Sequence, residues 1–143
     1  MTTIKSYTDI EQSCKLAKFL PIESADMKIL PFTEEEYRVV LIKDIAVCNR
    51  EDEIPCWSLA ALLNLLPSEF TEKGKYSTTT YKINIRKYKF TDEVDLHQIA
   101  YGSYKWYEDG GYTWKDMINT GEKENLIDAA FQMICWLKEN NKL

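Results

Sequence analysis

Ile54-Pro55-Cys56-Trp57-Ser58-Leu59-Ala60-Ala61-Leu62-Leu63-Asn64-Leu65-Leu66-Pro67 carries no charge and has a proline near each end. Proline is tolerated in the first helical turn, where its missing N–H would find no partner anyway. With Pro55 there, Cys56, Trp57 and Ser58 complete the opening turn. Leu59, Leu62, Leu63 and Leu66 then recur at i, i+3, i+4 and i+7, one face of a 3.6-residue period. Ala60 and Ala61 admit close neighbours, and Leu65 widens the stripe. A helix apolar nearly all round belongs inside a domain. It is shorter than the roughly 20 apolar residues of a membrane span. Pro67 stops it, because the residue before a proline is driven out of the helical region. The expectation is a buried helix at the hub of the core.

The rest of the composition suits such a core. In 143 residues, hydrophobic side chains make up 45% and charged ones 29%, the balance of a single globular domain. There are 23 acidic against 18 basic residues, a net charge of −5. That disfavours nucleic acid, whose phosphates call for a positive face, and leaves room for a basic protein partner. The opening Met1-Thr2-Thr3-Ile4-Lys5-Ser6-Tyr7 has no apolar run of the signal-peptide kind. The expectation is a cytoplasmic protein, with no membrane segment and with reduced thiols.

Around the central stretch, the chain reads as helix, two short strands, helix, three longer strands, helix. Thr8-Asp9-Ile10-Glu11 has the capping-box pattern, predicting a helix to about Leu20 with Ile10, Cys14, Ala17 and Phe19 or Leu20 inward. Met27 to Phe32 reads as a short strand whose Pro31 suggests a sheet edge. The segment 34–47 is ambiguous, since Thr33 and Glu36 could cap a helix. The β-branched residues of Tyr37-Arg38-Val39-Val40-Leu41-Ile42 favour a strand over 37–43. Ser68 to Lys75 reads as a polar linker. Residues 76–90 alternate as a long strand, with a parity slip that a bulge near Arg86–Lys87 would reconcile. Ile99 to Glu108 alternates with Tyr104 and Trp106 on one face and Ile99, Tyr101 and Tyr107 on the other. Asp109-Gly110-Gly111 is a hairpin turn, returning through Tyr112 to Ile118. A final helix runs from Asn125 or Leu126 to Asn140, facing inward with Leu126, Ala130, Met133, Ile134 and Leu137. The fold class is therefore α+β: an antiparallel or mixed sheet of about five strands with three helices packed on it.

Cys56 is the position with chemical potential. A thiol at a helix N-terminus meets unpaired N–H groups and the positive end of the dipole, which favour the thiolate. His97 follows on a later strand, with Asp92, Asp95 and Gln98 beside it. This Cys-then-His order resembles that of papain-like and cell-wall-peptidase cysteine hydrolases, in which the histidine draws the thiol proton. A buried cysteine and a loop histidine are the plain alternative. The four cysteines, Cys14, Cys48, Cys56 and Cys135, include no Cys-x-x-Cys pair, and there is one histidine, so neither a metal site nor a cofactor is expected. Cys14 and Cys135 read as small hydrophobes on helix faces.

Tyr101, Tyr104, Trp106, Tyr107, Tyr112 and Trp114 crowd the hairpin. One side must pack the helices, while rings left on the other would anchor a partner. Core packing and a binding face, the latter through Tyr104, Trp106, Tyr107, Tyr112 and Trp114, are both open to them. Lys82, Arg86, Lys87 and Lys89, interleaved with Tyr88 and Phe90, have the look of a single-strand nucleic-acid platform. The net acidity and the absence of a ribonucleoprotein motif make a solvated strand face the better reading. Glu34-Glu35-Glu36 and Glu51-Asp52-Glu53 lack the alternation of a calcium loop and read as loop surface.

Two segments carry a resemblance: Ser6-Tyr7-Thr8-Asp9-Ile10-Glu11-Gln12-Ser13 with Glu23-Ser24-Ala25-Asp26-Met27, and Ile54 to Leu63. They resemble small uncharacterised proteins of Bacteroides-type bacteria carried by prophages and other mobile elements. Asp128-Ala129-Ala130-Phe131-Gln132-Met133-Ile134 is similar to that family's closing helix. The resemblance implies an origin and assigns no activity or catalytic residue. Size, acidity and the aromatic hairpin point to a non-enzymatic accessory protein that binds another macromolecule, a protein above all. The alternatives are a cysteine hydrolase or transferase using Cys56 and His97, and an immunity or antitoxin-type protein neutralising a basic toxin.

Overall fold

A computed structural model describes residues 5–31, 36–42 and 53–143. Cys48, the carboxylates Glu34, Glu35, Glu51 and Asp52, and the disputed residues 34–35 and 43–47 lie outside the described residues. The chain forms α1 (Ile10–Ala17), β1 (Met27–Pro31), β2 (Tyr37–Leu41), β3 (Ile54–Cys56), α2 (Leu59–Leu65), β4 (Glu69–Lys73), β5 (Thr78–Lys89), β6 (Asp95–Tyr107), β7 (Gly111–Asn119) and α3 (Leu126–Glu139).

Among the described residues the fold is α+β with three helices, but the strands make two antiparallel sheets in place of one. One has the order β2-β1-β3 and the other β4-β5-β6-β7. Two strands account for the difference. Pro55 lies in edge strand β3, paired with Lys28, and not at a helix start. At an edge, its missing N–H costs the sheet nothing. Segment 69–73, expected to be a linker, pairs with β5 from Glu69↔Lys82 to Lys73↔Thr78 and buries Phe70. Pro31 ends β1, which is the central strand of its sheet and not an edge.

The central stretch therefore splits. Ser58 caps α2, accepting the Ala61 N–H at 3.2 Å, and only Leu62 of that helix is fully buried. The hub is α3, which buries Ile127, Ala129, Ala130, Met133, Ile134, Cys135 and Leu137. Each large side chain so buried stabilises the fold by about 1.5–3 kcal/mol. They join Ile99 and Tyr101 of β6, Phe70 of β4, Leu62, Trp57, and Leu16 and Leu20 in one apolar cluster.

The start of α1 is also shifted. Asp9 is its N-cap, in a capping box with Gln12. This frees Thr8 to face inward, where its hydroxyl meets that of Ser13 at 2.8 Å and accepts the Trp57 N–H at 3.1 Å. The buried face of α1 is thus Ser13 and Leu16, while Ile10, Cys14 and Ala17 are exposed.

Strand β5 runs against β6 without a slip from Lys82↔Gly102 to Lys89↔Asp95. No bulge is needed at Arg86–Lys87, because Tyr88 and Phe90 are exposed. The irregularity lies on the other side of β6. Tyr101 pairs with Ile118 and Gly102 with Asp116, leaving Met117 as the extra residue.

Candidate functional site

Past the bulge, the β6–β7 hairpin presents two faces. Glu108, Asp109 and Gly110 make its turn, and Gly111 follows with a φ of +70°, in the left-handed region that glycine enters freely. On one face Tyr104 stands opposite Trp114 and Trp106 opposite Tyr112. The first pair of rings is 5.3 Å apart at 81°, the second 5.1 Å apart at 63°. Edge-to-face contacts of this kind add about 0.5–1.5 kcal/mol beyond area burial. Even so, Tyr104 remains 66% exposed, Trp106 63% and Tyr112 71%. Core packing does not account for these rings. Tyr107, paired with Gly111, has the opposite parity and lies on the other face, so four of the five expected binding residues come together.

This face is braced at its flank. Gly102 leaves room for the Trp114 ring to lie against the β6 backbone. The indole Nε1 donates to Asp116 Oδ1 at 2.7 Å. Arg86 on β5 grips both carboxylate oxygens, Nη1 to Oδ2 at 2.8 Å and Nη2 to Oδ1 at 2.5 Å. Arg86 Nη1 and the Tyr88 hydroxyl also donate to Gln98 Oε1, at 3.2 and 3.1 Å. The guanidinium of Arg86 holds the Asp116 carboxyl below its ordinary value, and the carboxylate in turn raises Arg86. A planar bidentate pair of this sort fixes orientation as well as contributing energy. Arg86 is thus not a free basic residue: its charge is paired within the sheet.

Gly102 and Asp116 escaped the sequence reading, and Arg86 and Gln98 entered it in other roles. A glycine inside a well-alternating strand does signal a close approach. Asp116, two residues from Trp114, shares its strand face.

Cys56 closes β3 and lies before the helix, with no exposed surface. Its thiol donates to the Thr8 carbonyl oxygen at 3.3 Å and receives the Thr8 hydroxyl at 3.6 Å. Burial pushes it above the ordinary thiol value, outweighing the hydrogen bonds from Thr8 and Ser13. His97 belongs to the other sheet, on β6, where its backbone exchanges hydrogen bonds with Lys123 at 2.6 and 2.8 Å. Its neighbours are engaged elsewhere: Asp95 pairs with Lys87, and Gln98 serves Arg86 and Tyr88. No hydrogen bond joins the Cys56 thiol to His97. The helix-terminus activation expected for Cys56 is therefore absent, because the helix starts three residues later.

Among the described residues, no three His, Cys, Asp or Glu side chains are grouped so as to hold a metal ion. No described helix is long and apolar enough to cross a membrane. Compared with protein-family models, with curated proteins and with solved structures, the chain matches none.

Proposed function

We propose that this chain is a cytoplasmic, non-enzymatic accessory protein that binds another protein through the Tyr104–Trp106–Tyr112–Trp114 face. The single observation that carries the reading is the exposure of Tyr104, Trp106 and Tyr112, with Trp114 half-buried beside them, in cross-strand ring pairs. Pre-ordered Tyr and Trp side chains lose little entropy when a partner covers them, which makes them effective anchors. Arg86 and Asp116 neutralise each other beside the rings, so the face offers apolar area with hydrogen-bonding groups at its margin. That suits a protein surface better than a polyanion. An accessory role also fits the mobile-element origin that the resemblance implies.

The test is affinity purification from the host with the wild-type protein and with Trp106→Ala/Tyr112→Ala side by side. A protein retained by the former and lost by the latter supports the proposal. Failure of the wild-type protein to retain any specific protein counts against it.

A further inference from the structure

On the opposite face of the same hairpin, beyond the end of the core, β6 and β7 bring two lysines together. Ser103 pairs with Lys115 and Lys105 with Thr113, so Lys105 and Lys115 are diagonal neighbours on one face. Diagonal positions are roughly 7–8 Å apart at the backbone, within reach of two long side chains turning to a common point. They line a recess of about 230 Å³ together with Tyr81, Ser103, Asp116 and Met117.

Neither ammonium has an ion pair or a hydrogen bond among the described residues. The Asp116 carboxylate, on the face of Trp114, does not compensate them. Asp116 is held on both oxygens by Arg86, and Trp114 adds a third hydrogen bond. Its charge is spent there. Two like charges at adjacent positions of a sheet face repel unless a counter-charge lies between them. Ser103 contributes a hydroxyl donor, and Tyr81, whose ring packs on Phe70 at 5.5 Å, brings a phenol to the same lining. The recess is smaller than the roughly 300–1,000 Å³ of pockets for drug-sized molecules and has room for a phosphate group.

We propose that this recess is an oxyanion site, with Lys105 and Lys115 clamping a phosphate group and Ser103 and Tyr81 donating to its remaining oxygens. The phosphate is either the free ion or the phosphoryl group of a larger ligand. The site is independent of the aromatic face and would stand if that face bound nothing.

The experiment is a backbone-amide NMR titration at constant ionic strength with two probes, inorganic phosphate and phosphoserine. Saturable shifts centred on Ser103, Lys105 and Lys115 are expected with at least one probe. Tighter binding of phosphoserine identifies a phosphorylated ligand, and tighter binding of phosphate the free ion. Lys105→Gln or Lys115→Gln, both at exposed positions, should each weaken binding about tenfold, the loss of one charge-assisted hydrogen bond. Lys89→Gln, an exposed lysine elsewhere on the sheet, should leave it unchanged. No saturable shift with either probe overturns the proposal. So do shifts that persist unaltered when both recess lysines are replaced.

Discussion

Trp114 lies across the backbone of Gly102 on the neighbouring strand, where a Cβ would come within 2.8 Å of the indole ring and closer still to the Lys115 carbonyl oxygen. The ring thus takes the place that a side chain on β6 would fill. Gly102→Ala should therefore displace Trp114 or spread the strands, destabilising the protein by about 1–3 kcal/mol, as overpacking does elsewhere. Urea denaturation followed by tryptophan fluorescence reads both the midpoint and the native-state change in the indole environment. An unchanged midpoint would mean that the glycine is incidental.

Acid should loosen the same region. Arg86 lowers the Asp116 carboxyl from its ordinary value of 3.8. A group lowered in the folded state contributes stability that is fully present above its unfolded value and is lost as pH falls through the folded one. Wild-type stability should accordingly include a component that fades below about pH 4. Arg86→Gln should remove much of it, so the two proteins differ more at neutral pH than in acid. Urea midpoints measured from neutral pH downward check this. Parallel curves for the two proteins would contradict the assigned role of the pair.

Thiol labelling separates the three described cysteines by burial. Cys14 is exposed, whereas Cys56 and Cys135 are buried, and burial pushes both of their thiols up. Thiolate is the reactive form, so iodoacetamide at neutral pH should modify Cys14 readily and the other two only after denaturation. Peptide mass spectrometry gives the order. Rapid native labelling of Cys56 would favour the cysteine-enzyme reading, which requires an accessible thiolate.

What the sequence makes legible follows from what each element displays. The closing helix and the Asp109-Gly110-Gly111 hairpin combine long periodicity with unambiguous punctuation, and both form where expected. Pro55 is compatible with a first helical turn and with an edge strand, and nothing local separates the two. Strand β4 shows one inward apolar residue, Phe70, among polar neighbours, so it passes for a linker. On α1, the inward positions include Ser13, held by the hydroxyl of Thr8. Hydrophobic periodicity is blind to a buried polar contact, and it selects Ile10 and Cys14 instead.

The candidate face was half legible for a similar reason. Alternation assigns Tyr104 and Trp106 to one side of their strand, but it does not reveal which side the helices cover. The brace beside the rings joins Arg86, Gln98 and Asp116 from three strands, and only the register of the folded sheet brings them together.

The central claim is that the four-ring face is where a partner protein sits. A photo-crosslinking amino acid placed at Trp106 and irradiated in living host cells tests it most directly, with the same group at Lys89 as reference. One discrete protein adduct at position 106, absent at 89 and suppressed by Tyr112→Ala, is the predicted result. No adduct at 106, or the same adducts from both positions, would contradict it.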